Sequence, residues 1–290
     1  MIDCVKPRFF DSPGIRVRPN IPPRVKQSNL GKAATLLGRM CRLMVVNPRG
    51  LREVSGVALG LSEYYLDPEL DVLPIPAVTL MDLIADETQA VNAKVVAFPR
   101  VGFSITLDEA MGLAILIQKC QARRIFEFGT HRGVSTSQLA ANLPADGAVF
   151  TLDLPREDTS TRFEVNDWAE KEVANFPRKG DLIPENLRGR VTFLTQDSAL
   201  FDPMPYANTM DFIFIDAAHT REYVVNDSEK AWAMIRPGGI VAWHDCRSQT
   251  PEVVKYLRAC QYNPQRIKGT TLAFAVKPAG QPTAGKPPVW

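Results

Sequence analysis

Between Arg124 and Ala140 the chain changes periodicity in a way that few folds accommodate. Ile125, Phe126 and Phe128 form a short, apolar, β-favouring run that predicts a buried strand. Gly129 and Gly133 break it, and Ser135 and Thr136 stand where a helix N-terminus takes hydroxyl caps. Strand, glycine turn and helix in this order open a nucleotide-binding α/β unit. The glycine spacing narrows the ligand. A dinucleotide site uses G-x-G-x-x-G, so that a pyrophosphate approaches the backbone and rests on the helix N-terminus. Here the pattern is Glu127-x-Gly129-x-x-x-Gly133, and a carboxylate near the strand end would repel a pyrophosphate. It suits a cationic, phosphate-free nucleoside, and S-adenosylmethionine, with its sulfonium and ammonium, has that chemistry.

Four further runs have the same form. Ala148–Asp153, Val191–Thr195, Met210–Ile215 and Ile240–Trp243 read as strands, and helices are expected at 106–120, 221–235 and 251–261. Thr106 is the expected N-cap of the first of these, with Glu109 as its capping-box partner and Met111, Leu113, Ala114 and Ile117 as its apolar stripe. Pro237-Gly-Gly239 is expected to turn the chain into the fifth strand. A hairpin around Lys268-Gly269, with Leu272–Val276 as its second strand, closes the domain. Alternating strands and helices predict a doubly wound, mostly parallel Rossmann-like sheet with a C-terminal antiparallel hairpin. Ligands in such sheets bind beyond the carboxyl ends of the strands. Glu127, Asp153, Asp197, Asp216 and Asp245 stand at or near those ends, together with all three histidines, His131, His219 and His244. That concentration marks the candidate site.

Upstream, residues 1–29 are rich in Pro and Arg and read as an extended arm, followed by helical spacing over 30–46, 51–65 and 78–84. Residues 1–103 are therefore expected to be an arm with a helical cap or oligomerisation segment, which a homodimer would use. Residues 104–277 are expected to be the cofactor-binding domain and 278–290 a disordered tail. A net charge of +2 gives no ground for a nucleic-acid partner, and no apolar run is long enough for a membrane span. Five cysteines, odd in number and without a C-x-x-C pair, point to reduced thiols and a cytoplasmic location.

Phe214-Ile-Asp216-Ala-Ala-His219-Thr-Arg-Glu222-Tyr-Val, Pro237-Gly-Gly239 and Trp243-His-Asp245 together resemble class I S-adenosylmethionine-dependent methyltransferases. The closest likeness is to a bacterial subgroup with F-I-D-x-x-H and W-H-D motifs, over residues 106–277. The resemblance implies that Glu127, Gly129, Thr130, Gly133 and Ser135 hold the amino-acid end of the cofactor. It also implies that Asp153 takes the ribose hydroxyls and that Asp197 and Ser198 line the adenine edge. The implied reaction is O-methylation of a small-molecule or sugar-like acceptor, with Asp216, His219, His244 and Asp245 on the catalytic side. Two routes to a deprotonated acceptor stay open. Asp216 and Asp245 could bind Mg²⁺ as a Lewis acid, although Cys246 stands where metal-dependent relatives carry an amide. Alternatively His219 or His244 is the general base. Adjacent strand residues point to opposite faces, so one of His244 and Asp245 is expected to be structural. The rival readings are a nicotinamide-dependent oxidoreductase and a non-catalytic cofactor-binding protein.

Overall fold

Along the fifth strand Phe212 and Phe214 turn to one face and Ile213 and Ile215 to the other, and this two-residue period organises the whole domain. The computed structural model describes residues 73–85, 91–96, 98–99, 102–155, 161–165, 171, 176 and 178–278. The arm, the helices expected at 30–46 and 51–65, and the tail from residue 279 lie outside the described residues. In chain order the elements are β1 (Ala77–Val78), α1 (Leu80–Ala85), α2 (Leu107–Lys119), β2 (Arg124–Phe128), α3 (Val134–Ala141) and β3 (Ala148–Asp153). Then follow α4 (Glu185–Arg188), β4 (Val191–Thr195), β5 (Met210–Ile215), α5 (Arg221–Met234), β6 (Ile235–Trp243), α6 (Pro251–Ala259), β7 (Gln265–Ile267) and β8 (Ala273–Val276). One eight-stranded sheet runs in the order β1-β7-β8-β6-β5-β2-β3-β4. Only the β8 pairings, to β6 and to β7, are antiparallel. The expected mixed sheet with its closing hairpin is what forms.

Two apolar layers sandwich it. Ile125, Val149, Phe212, Phe214 and Ile240 pack against α2 and α3 through Leu113, Leu116, Ile117 and Leu139. Phe126, Phe128, Ile213, Val241 and Trp243 face α5 and α6, with Trp232 stacked on Tyr262 at 3.7 Å. Burying each such side chain contributes about 1.5–3 kcal/mol. The stripe of α2 is rotated from the one expected, because Met111 is exposed while Ala110 and Leu116 are buried. Its capping box forms as expected, with the Thr106 hydroxyl accepting from Glu109 N–H and the Glu109 carboxylate accepting from Thr106 N–H.

Three local features differ from expectation. Residues 78–84 are not one helix: Val78 pairs in parallel with Ile267 at the sheet edge, and only Leu80 onward is helical. The sheet therefore draws in chain upstream of Ser104. Pro237-Gly-Gly239 does not end one element and begin another. It lies within β6 as an irregularity between the Met210–Ile235 and Phe212–Ile240 pairs, which frees Asp211 to accept from Arg123 N–H, Arg124 N–H and Arg236. Finally, α3 takes Gly133 as N-cap with no side-chain bond, and the Ser135 and Thr136 hydroxyls go elsewhere.

Candidate active site

The chain leaves β2 outward to β3 and β4, then crosses back to β5, so the sheet's topological switch point lies between β2 and β5. Gly129 sits there with φ +93°, and a Cβ on it would lie 2.0 Å from the Asp216 carbonyl oxygen. The glycine is required because the two strand ends meet, with Asp216 N–H donating to the Phe128 carbonyl. Gly133, at φ +84°, faces Ile183 from the segment before α4, so the same turn is held from outside.

On the β2–β3 side every candidate residue is engaged by the protein. Glu127 is fully buried and accepts from the Ser135 hydroxyl at 2.7 Å and from Thr136 and Thr151 at 2.6 Å each. This corrects the expectation that its carboxylate faces a ligand. The strand period places Glu127 with Ile125 on the α3 face, opposite Thr151 in the β2–β3 register. Burial pushes its carboxyl up to about 7, against the pull of the three hydroxyls. Ser135 and Thr136 leave the helix terminus uncapped because their hydroxyls satisfy the buried Glu127 carboxyl. Asp153 Oδ2 accepts from Thr130 N–H at 3.0 Å and His131 N–H at 2.7 Å, which fixes the glycine turn. Its Oδ1 takes Leu154 N–H and, at 2.9 Å, the Lys179 ammonium. Asp197 accepts from Ala199 N–H, Arg162 N–H and the Tyr223 hydroxyl, while the Ser198 carbonyl accepts from Asn226 and Lys230. His131 stands edge-on to Phe176 at 5.2 Å.

The β5–β6 side is built differently. Both His244 and Asp245 join the same cluster, contrary to the expectation of opposite directions. The reason is backbone geometry: β6 ends at Trp243, and Asp245 turns into the left-handed region at φ 55°, which Asp tolerates. The turn is tied down by Asp245 N–H to the Thr271 hydroxyl and by the Thr250 hydroxyl to the Asp245 carbonyl. His244 Nδ1 lies 3.3 Å from Asp216 Oδ1 and 3.0 Å from Asp245 Oδ2. His219 Nε2 lies 2.9 Å from the same Asp245 oxygen. Burial works against charge on His244, but Asp216, Asp245 and Glu109 outweigh it and hold the imidazolium well above the usual histidine range. Burial likewise opposes ionisation of Asp245, and His244 and His219 hold its carboxyl well below the usual range.

Glu109 was read from the sequence only as a helix cap. It is fully buried and meets His244 Nε2 at 3.1 Å, while its other oxygen accepts from both N–H and hydroxyl of Thr271. Burial alone would raise it, yet the His244 ring and the N–H donors bring its carboxyl down to about 2. A signal existed: Glu109 lies in the first turn of the helix that precedes β2, and such a helix starts at the sheet's carboxyl edge. Lys179 had no such signal, lying in an insertion without periodicity. Cys246 is buried outside the cluster, its thiol pushed up to about 12 by burial. Asp216, His244 and Asp245 each offer a ligand atom, all within 4.8 Å of one another.

Residues 126–246 match the family model described as a methyltransferase domain. Caffeoyl-CoA O-methyltransferase 2 of Zea mays is 26% identical over 137 residues, covering 47% of each chain. Flavonoid 3′,5′-methyltransferase of Vitis vinifera is 24% identical over 163 residues, 54% of this chain and 64% of that one. The chain thus spans about half the length of most of these curated relatives. An O-methyltransferase from Bacillus cereus, solved in complex with SAH, superposes with a TM-score of 0.43 and 22% identity over 74% of this chain and 99% of that one. Among the described residues of the methyltransferase domain and its flanks, no helix is long and apolar enough to cross a membrane.

Proposed function

We propose that this chain is an S-adenosylmethionine-dependent O-methyltransferase acting on a hydroxyl of a small-molecule or sugar-like acceptor. The observation that carries the reading is the convergence of Asp216, His219, His244 and Asp245 beside the Gly129 turn, at the switch point where such sheets bind ligands. The Zea mays relative named above is an O-methyltransferase by its name, which supports the same class. When bound, S-adenosylmethionine supplies an electrophilic methyl group on its sulfonium. The backbone of Gly129, Thr130 and Gly133 lines its amino-acid end, with Ser135 in the first turn of α3 and Glu127 holding that turn from behind. Asp153 orders the glycine turn and offers Oδ1 to a ribose hydroxyl once Lys179 gives it up. Asp197 and Ser198 bound the adenine edge, Asp197 by holding Tyr223 and the backbone at Arg162.

On the catalytic side, Asp245 orients the His219 ring, the arrangement a general base requires. His219 would take the acceptor's proton at the nitrogen turned away from Asp245. The donor set at Asp216, Asp245 and His244 also fits a divalent cation: two carboxylates converge on a buried imidazole nitrogen, His244 Nδ1, with all three ligand atoms within 4.8 Å of one another. A cation held there supplies Lewis acidity that lowers the pKa of a neighbouring hydroxyl. The third donor is His244, not the residue after Asp245, so Cys246 is no obstacle. Calorimetric titration with S-adenosylmethionine tests the reading. Micromolar binding is expected, weakened at least about tenfold by Asp153→Asn, with S-adenosylmethionine converted to S-adenosylhomocysteine when a catechol-type or sugar hydroxyl acceptor from a panel takes the methyl group. Absence of any binding of S-adenosylmethionine would overturn it.

A further inference from the structure

We infer that Glu109 fixes the tautomer of His244 so that Nδ1 serves as a metal ligand, making the cluster selective for an imidazole-favouring transition-metal dication over Mg²⁺ or Ca²⁺. This rests on the proposed cation site at Asp216 and Asp245 and assigns that site its third ligand, its positioning residue and its class of metal. The hydrogen-bond directions carry the argument. Thr106 N–H and Thr271 N–H both donate to the Glu109 carboxylate. The Thr271 hydroxyl accepts from Asp245 N–H, so its own hydrogen is directed to Glu109 Oε1. Glu109 is thus an acceptor on every side, and His244 Nε2, at 3.1 Å, must donate to it. A cation that displaces the other ring proton therefore takes Nδ1 and not Nε2.

That nitrogen, Nδ1, points at Asp216 Oδ1 and Asp245 Oδ2, 3.3 and 3.0 Å away, from a side chain only 6% exposed. Three ligand atoms within 4.8 Å of one another describe a cation site, and the ring's other N–H on a carboxylate is the arrangement that orients ligating histidines. Oxygen-only sites suit Mg²⁺ and Ca²⁺, whereas imidazole suits iron, nickel, copper and zinc. Glu109 does not touch the cation; it is a positioning residue. Its network also links the ligand turn at Asp245 to the first turn of α2, so the donor geometry is set before any ligand arrives.

Metal binding to the purified full chain, without cofactor or acceptor, tests the inference. Co²⁺ and Mg²⁺ are titrated separately, by absorption spectroscopy and calorimetry, with thermal unfolding as a check of the fold. Co²⁺ is expected to bind at least about tenfold tighter than Mg²⁺. The Co²⁺ form should show one paramagnetically shifted, exchangeable imidazole N–H resonance, from His244 Nε2. Glu109→Gln should weaken Co²⁺ binding by about 10–100-fold. His244→Asn, which keeps a polar side chain if Glu109→Gln fails to fold, should abolish the shifted resonance and bring the Co²⁺ and Mg²⁺ affinities together. Equal affinity for the two metals in the wild type, or a shifted resonance that survives in His244→Asn, would overturn the inference while leaving a cation site standing. No binding of Co²⁺, Mg²⁺ or Ca²⁺ would overturn the cation site itself, and the inference with it.

Discussion

Glu109 and Glu127 are both fully buried glutamates within one domain, and their carboxyls move in opposite directions, to about 2 and about 7. Desolvation acts on both. The difference is in the partners. Glu127 has three neutral hydroxyls, and Asp216 adds a like charge nearby. Glu109 has an imidazole, two backbone N–H groups and a hydroxyl. Hydroxyls satisfy a buried carboxyl without compensating its charge, whereas an imidazole on the other side of the bond does. On the β2–β3 side of the switch point the buried glutamate is therefore held by neutral hydroxyls, whereas on the β5–β6 side it belongs to a preorganised cluster of charge.

The contrast can be broken at either end. Glu109→Ala is expected to have the largest effect. It leaves His244 Nε2 and Thr271 N–H without their buried carboxylate and removes the capping box, and denaturant unfolding should show a loss of about 3–5 kcal/mol. The pH dependence should separate the two glutamates. Glu109, lowered from 4.5, contributes stability that is present above pH 4.5 and lost as the pH falls toward 2. Glu127, raised from 4.5, contributes stability that is complete below pH 4.5 and lost as the pH rises through 7. Glu127→Gln should abolish the second slope and stabilise the protein above pH 7 by about 3 kcal/mol, read from unfolding midpoints between pH 4.5 and 8. Two threonine variants sharpen the comparison. Thr271→Val, which removes a donor to an ionised carboxylate, should cost about 2 kcal/mol, and Thr151→Val, which removes one from a neutral carboxyl, about 1 kcal/mol. The smallest effect is expected at Lys179. Lys179→Met removes the ammonium from Asp153 Oδ1, leaving it only Leu154 N–H among the described residues, and should tighten S-adenosylmethionine binding by about two- to fivefold in calorimetry.

Much of this was legible before any coordinates. The period-two strands, the glycine turn, the capping box at Thr106 and the closing hairpin are local signals, written in residues close together in sequence. Because a parallel sheet puts all its carboxyl ends on one edge, the cluster of Asp216, His219, His244 and Asp245 could also be anticipated. Parity along β2 would even have turned Glu127 inward, since it shares a face with Ile125. What misled was extending the strand rule past its end, to Asp245, where a left-handed turn takes over.

The sequence by itself therefore determined the sheet, its order of elements and the edge on which chemistry is concentrated, because short-range periodicity and chain connectivity suffice for those. Only the tertiary structure decided which acids face the site and which support it. It brought Glu109 to His244 across 135 residues, seated Lys179 on Asp153, and folded Asp245 back beside its own neighbour. Those pairings depend on where helices dock and how a single backbone angle turns. A buried charge is compensated only by the group that packing places against it.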